Sequence, residues 1–425
     1  MPDIRDRRPL HRALVFSDVI GHTPTPILVL VVAALVVSAA WTWVNATHDL
    51  VLGCLAGLGL ALFIAGDWAM LAGLPRAGRS FGPVGLPLLA LAGVRWALNA
   101  TAFIPATPQS TLALLTIGNL ALTGNVLDSL WAEPFRLGVT RLEIQSHKLA
   151  GSPPLRVLHL SDLHVERITT RERKLLELVA ELRPDLIVFT GDFLNLSYAR
   201  DVRAQADCRE VLSKLHAPLG VFAVTGSSPA DPPQVVESLL DGLDMRRLDN
   251  EVEPVCMSSG EQPALALVGI TCTHDVRVDG QAFERAMANV ANNPSPPFTL
   301  LLYHSPDLMP QAVRARVDLF LCGHTHGGQI RLPFVGALVT SSRFWKKYEM
   351  GRYVKENTIL YVSRGIGMEG MGAPRARFLC PPEIELIELR GPENAPPPPR
   401  RSRNRLLFRP RSLLKSNATT FPKSR

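Results

Sequence analysis

No two of the six cysteines (Cys54, Cys208, Cys256, Cys272, Cys322, Cys380) form a CxxC pair, so the chain offers no CxxC redox or zinc motif, and a reduced compartment is expected. Positive charge is also missing where nucleic acid would need it. The formal net charge is +7, but residues 391–425 hold nine Lys or Arg against one acid (Glu393), which leaves −1 for everything before them. The pI of about 9.3 is therefore a property of the tail, and no basic groove for nucleic acid is expected. Charge of either sign is absent from Thr23 to Ala46. That run is long enough to cross about 30 Å of hydrocarbon as a helix, too long for a cleaved signal peptide, and is followed by more of its kind.

Three further apolar runs follow, Leu50 to Leu74, Val84 to Ile104 and Thr111 to Leu127. The loops Thr47 to Asp49 and Pro105 to Ser110 lack Lys and Arg. The N-terminus (Arg5, Arg7, Arg8, Arg12), the loop with Arg76 and Arg79, and the segment with Arg136 and Arg141 are basic. This asymmetry places both termini, and whatever follows the fourth span, on the cytoplasmic side of a cell membrane. Trp41, Trp43, Trp68 and Trp131 fall near span ends, as interfacial tryptophans do, though Trp96 does not. Asp67 and Arg95 lie inside the second and third spans. They either pair at similar depth or each reaches toward the interface.

The composition divides the chain into a basic N-terminus (1–22), four spans (23–131), a connector (132–154), an α/β domain (155–390) and a Pro-, Arg- and Ser-rich tail (391–425) expected to be disordered. The tail either rests on anionic lipid or is solvated. Within the connector, Val139 to Ile144 alternates like an edge strand. Glu172 to Leu182 and Gln205 to Leu215 show helical spacing, and Ala264 to Ile270, Ile359 to Ser363 and Ile384 to Leu389 read as strands.

Polar residues with metal-binding chemistry recur where apolar runs stop. Arg156 to Ser161 ends at Asp162-Leu163-His164, Leu186 to Thr190 at Gly191-Asp192, and Thr299 to Tyr303 at His304. Leu319 to Cys322 runs into Gly323-His324-Thr325-His326-Gly327-Gly328-Gln329, whose glycines turn the chain sharply. Sheet ends are where α/β folds present chemistry, and four such arrivals in order point to metal. Carboxylate and imidazole together suit manganese, iron or zinc better than magnesium or calcium.

The series DLH, GDFLN, YHSPD and GHTHGGQ resembles the calcineurin-like metallophosphoesterase family, in particular its membrane-anchored branch, over about Leu155 to Leu389. The resemblance implies a sheet sandwich flanked by helices and two divalent ions. Asp162, His164, Asp192 and His326 would hold one ion, and Asp192 would bridge to a second held by His304 and His324. It implies hydrolysis of a phosphoester by a hydroxide lying between the ions, with Asp192 and His304 at the reacting centre and no protein nucleophile. Two cations would also neutralise the anionic substrate and make hydroxide available near neutral pH.

After its third strand the family carries Gly-Asn-His followed by an acid, whereas this chain carries Gly226-Ser227-Ser228-Pro229. Ser227 stands where the asparagine ligand is expected and would ligate weakly or through water. Ser228 stands where a histidine would protonate the leaving oxygen. Without that acid, phosphoanhydrides and activated diesters are favoured over simple alkyl phosphomonoesters. Some members of the branch it resembles look like UDP-diacylglucosamine pyrophosphatases, an analogy that makes a lipid-linked substrate attractive. The alternative is a catalytically impaired membrane sensor or scaffold that binds metal or phosphate. Of three remaining residues, Asn195 is expected to cap a following helix, and His274 is expected to be structural, with replacement of a missing ligand as the alternative. Arg364 either clamps a phosphate or forms a salt bridge.

Overall fold

The computed structural model describes residues 16–104, 107–256, 265–291, 293, 296–372 and 374–392. The basic N-terminal cluster and nearly all of the tail, from residue 393 on, lie outside them. Four helical stretches are long and apolar enough to cross a membrane. They contain α1 (Thr25–Thr47), α2 (Leu50–Arg76), α3 (Gly85–Ala97, continued as a 3-10 turn over Leu98–Phe103) and α4 (Pro108–Leu127). Asp49 starts α2 by accepting from the Val51 and Leu52 amides, and Thr107 caps α4 through the Ser110 amide.

The charges inside these helices pair. Arg95 Nε lies 2.6 Å from Asp67 Oδ2 and Arg95 Nη2 lies 2.7 Å from Oδ1, and both side chains are fully buried. The guanidinium also donates to Asn119 Oδ1 and its carbonyl at 3.0 Å each, and to Thr123 Oγ1 at 2.9 Å. This network joins α2, α3 and α4 with a planar fork that a lysine could not supply. Replacing Arg95 alone strands a buried carboxylate. Arg95→Leu is expected to cost about 3–5 kcal/mol, and the double variant Asp67→Leu/Arg95→Leu much less; thermal unfolding in detergent reads both. Trp43, expected at an interface, is instead fully buried in the bundle, packed near Ala56 and Leu115.

The remainder is a four-layer sandwich. The first sheet runs β1 (Gly138–Gln145), β14 (Glu383–Arg390), β2 (Leu155–Leu160), β3 (Leu186–Phe189), β4 (Val221–Ala223), β5 (Arg246–Arg247). The second runs β12 (Gly351–Lys355), β13 (Thr358–Val362), β9 (Leu319–Cys322), β8 (Phe298–Leu302), β7 (Leu265–Gly269), β6 (Glu251–Val255). A small hairpin, β10 (Arg331–Leu332) and β11 (Gly336–Ala337), follows β9. Alternate residues of each sheet, such as Val157, Val188, Leu300 and Leu319, meet in a shared inner core. The opposite faces carry helices: α5 (Thr170–Leu182), α6 (Val202–Leu212) and α7 (Pro233–Leu240) on the first sheet, α8 (Val276–Ala291) and α9 (Met309–Arg314) on the second.

β1 is an edge strand, as its alternation suggests, paired in parallel with β14. β2, β3 and β4 run parallel to one another, as do β7, β8 and β9. Their C-terminal ends therefore collect at one rim, where loops can carry chemistry.

The sandwich sits on the end of the apolar bundle through buried polar contacts. Glu166 accepts from the Phe81 amide at 2.9 Å and from Arg375 Nε at 2.7 Å. The Tyr198 hydroxyl donates to the Phe81 carbonyl, and Glu133 accepts from the Leu379 and Cys380 amides. Ile330, next to the histidine loop, packs against the apolar cluster that the bundle forms together with Ala376.

Candidate metal centre

Asp162 and His164 follow β2, Asp192 follows β3, Ser227 follows β4, His304 follows β8, and His324 and His326 follow β9. All come together at the rim. The Nε2 atoms of His164 and His326 face each other at 3.0 Å. Asp162 Oδ1 lies 3.4 Å from His326 Nε2 and 4.0 Å from His164 Nε2. Asp192 Oδ2 lies 3.5 Å from His164 Nε2 and 3.3 Å from His304 Nε2, so one carboxylate touches both halves of the cluster. Each of three groups, Asp162/His164/His326, Asp162/Asp192/His304 and His274/His304/His324, offers ligand atoms within 4.8 Å of one another.

The donor chemistry fits cations. His304 Nδ1 lies 2.8 Å from the Thr190 carbonyl, and donation there leaves the Nε2 lone pair pointing at a carboxylate oxygen. Two acceptors face each other across that gap unless something positive lies between them. Burial opposes charge on His304, yet the Asp192 carboxylate pushes its pKa up to about 10. Burial would raise Asp192, yet the charge and hydrogen bond of His304 hold it far below the usual carboxylate range. The negative field of Asp192 that favours a proton on this nitrogen favours a metal ion as well. Burial and the neighbouring histidines push His324 and His326 well below the ordinary imidazole range, leaving them neutral and ready to ligate.

Backbone geometry is part of the site. Asp162, His164, Asp192, His274, His324 and His326 all have left-handed φ between 46° and 70°. Such conformations cost non-glycine residues about 1–3 kcal/mol each and persist where the surroundings enforce them. Gly323 and Gly226 serve close approach: a Cβ on either would collide with the carboxylates of Asp162 and Asp192 respectively.

Several residues that shape the centre carry no sequence signal of their own. Asp231 accepts from the amides of Asp192, Phe193 and Gly226 at 2.7–2.8 Å, tying the two aspartate and serine loops together. Burial and the nearby Asp192 push its pKa up to about 7. Beneath Asp162 runs a buried relay. Ser161 Oγ donates to Asp162 at 2.5 Å, Thr190 Oγ1 to Ser161 at 2.7 Å, and His159 lies 2.8 Å from Thr190 and 2.9 Å from Glu385.

Four expectations are refined. Ser227 places its amide 2.7 Å from Asp192 Oδ1, while its hydroxyl lies 3.0 Å from His274 Nε2 and 3.3 Å from His304 Nε2. His274 is thus inside the cluster, not an isolated loop residue. Arg364 is engaged by Glu383, at 2.6 Å from Nη2 and 3.0 Å from its own amide, which is the salt-bridge alternative, half-buried. Asn195 caps no helix: it accepts from the Ser197 amide in a turn and donates to the Met368 carbonyl, and Asp201 caps α6.

Residues 155–328 match the family model for calcineurin-like phosphoesterases. Phosphodiesterase YaeI of Escherichia coli is 30% identical over 258 residues, covering 58% of this chain and 88% of that protein. UDP-2,3-diacylglucosamine pyrophosphatase LpxG of Chlamydia trachomatis is 29% identical over 330 residues, covering 65% and 96%. A transmembrane protein with a metallophosphoesterase domain from Danio rerio is 30% identical over 274 residues, covering 62% and 59%.

Proposed function

We infer that this chain, which belongs to the calcineurin-like phosphoesterase family, is a membrane-anchored hydrolase of phosphodiesters or phosphoanhydrides with two divalent ions at its centre. The observation that carries this reading is Asp192, whose carboxylate stands within 3.5 Å of imidazole nitrogens from both halves of the cluster. Asp162, His164 and His326 would hold one ion, His304 and His324 the other, and Asp192 both. Two cations supply charge neutralisation at phosphorus and a water acidic enough to attack near neutral pH. Manganese, zinc or iron suits these donors. The protein's own part is to fix ligand orientation: Thr190 sets the His304 tautomer, the Ser161 hydroxyl holds Asp162, and the Ser227 amide and Asp231 hold the Asp192 loop.

A lipid-linked phosphoester is the substrate class the surroundings support. Two cavities border the centre, both walled partly by the bundle end. One, of about 790 Å³, runs from Ser228 past Tyr198 and Arg375 to Phe81 and His22. The other, of about 380 Å³, has His326 and Gln329 at one side and Leu86, Ile330, Leu338 and Val339 at the others. Beside it the β10–β11 hairpin exposes Leu332, Phe334, Val335, Leu338 and Val339. Apolar surface next to membrane-length helices fits a substrate presented from the bilayer. LpxG, a pyrophosphatase of a diacylated sugar nucleotide by name, is consistent with this. The basic residues in alternate loops support a cytoplasmic position for this face. A non-catalytic sensor is the second reading, favoured by Ser227 and Ser228 in place of the asparagine and histidine.

The test is turnover by the full-length protein in detergent with manganese, on bis-p-nitrophenyl phosphate and a simple alkyl phosphate. Hydrolysis of the activated ester with little of the alkyl one is expected. Two bound ions with no turnover of either ester would favour the sensor.

A further inference from the structure

The second ion position lacks its asparagine, and the residue nearest that gap is an imidazole. Ser227 Oγ is 3.0 Å from His274 Nε2. The His274 ring centroid lies 4.7 Å from that of His324 and 6.0 Å from that of His304, and one nitrogen from each of the three converges within 4.8 Å. We propose that His274 is the fourth ligand of the second ion, replacing the missing asparagine, and that it makes this position nitrogen-rich and selective for zinc over manganese. The inference rests on the two-ion reading above.

Three independent features support it. His274 lies in the loop after β7, the third parallel strand of the second sheet, as His304 and His324 lie in the loops after β8 and β9, although farther from its strand's end than they are from theirs. Its φ of 61° is the left-handed conformation shared by Asp162, His164, Asp192, His324 and His326. Its loop is also built rather than loose. Asp279, nearly fully buried, accepts from the Thr273 amide at 3.0 Å and the Thr273 hydroxyl at 2.5 Å, and from the Tyr303 hydroxyl at 2.7 Å. Thr273 precedes His274 and Tyr303 precedes His304, so one carboxylate fixes the spacing of two ligands. Outer partners of this kind orient metal-binding histidines.

The consequence is an asymmetric pair. The first position has two carboxylates and two imidazoles, a set that manganese accepts. The second has one shared carboxylate and three imidazoles, which favours zinc, later in the affinity order and better suited to nitrogen.

Full-length protein, stripped and then equilibrated with graded free zinc or manganese, is assayed for bound metal by mass spectrometry. Wild type is expected to bind two zinc ions, and His274→Ala to bind the first unchanged while the second weakens about 100-fold or more. Retention of the first ion reports that the variant is folded. His274→Asn, which returns an amide donor, is expected to keep both ions and lose at least about ten-fold of the second position's preference for zinc over manganese. Two zinc ions held at wild-type affinity by His274→Ala would overturn the proposal. So would unchanged zinc and manganese affinities in His274→Asn, which decides the matter if the alanine variant does not fold. These readouts do not need turnover: a wild type that binds two ions, loses one with His274→Ala and hydrolyses nothing removes the enzyme reading and leaves this ligand in place.

Discussion

Asp192→Ala is expected to abolish turnover of bis-p-nitrophenyl phosphate, by on the order of a thousand-fold or more, and to leave no more than one tightly bound ion. Loss of a single preorganised electrostatic partner costs about 10²–10³ in rate, and the Asp192 carboxylate lies within 3.5 Å of imidazoles in both halves of the cluster. Its removal also leaves the Ser227 amide without its acceptor. The Asp231 contacts are to backbone amides and do not depend on the Asp192 side chain, so the loop keeps its shape. Metal content and rate measured on one preparation separate loss of ions from loss of fold. Wild-type turnover in the variant would show that the chemistry lies elsewhere.

Ser228→His is expected to raise turnover of a diester with an alkoxide leaving group, such as glycerophosphoglycerol, by about 10²–10⁴-fold, the usual worth of a positioned general acid. The rate on bis-p-nitrophenyl phosphate should change little, because nitrophenolate departs without a proton. Room for the imidazole exists, since Ser228 lines the 790 Å³ cavity. The loop that carries it is fixed by Asp231 on the Gly226 amide at 2.8 Å and by the Ala230 amide on the Ser227 carbonyl at 2.9 Å. The ratio of the two rates is the measurement. An unchanged ratio would mean that the leaving group does not face residue 228.

Much of this centre was legible because each of its candidate ligands follows an apolar run. Strand ends are local features, so Asp162, His164, Asp192, His304, His324 and His326 could be placed from short windows, and parallel strands bring such ends to one rim. His274 has the same local setting after β7, but with no motif around it. Its membership depends on β7 lying beside β8, a pairing between residues 265–269 and 298–302, which no window of sequence contains. Asp231 was hidden for a different reason. It sits in a proline-rich loop and acts through three backbone amides, whose positions follow from the fold rather than from residue type.

The apolar helices show the same division. Their extents follow from composition, and observed ends differ from those expected by three residues or fewer, apart from α3. There the helix tightens to a 3-10 turn at Leu98, where the Asn99 side chain donates to the Arg95 and Trp96 carbonyls. Pairing of Asp67 with Arg95 needed the helices' relative depth, which the sequence left open between two outcomes. Trp43 faces the bundle because helix rotation, rather than nearness to a span end, decides burial.

Crystals of the full-length protein grown with manganese or zinc, with anomalous difference maps recorded at the absorption edge, test the two-ion centre most directly. Two peaks about 3.5–4 Å apart, one on either side of the Asp192 carboxylate, are the expected result. A single peak beside Asp162, His164 and His326, with none near His304 and His324, would contradict it.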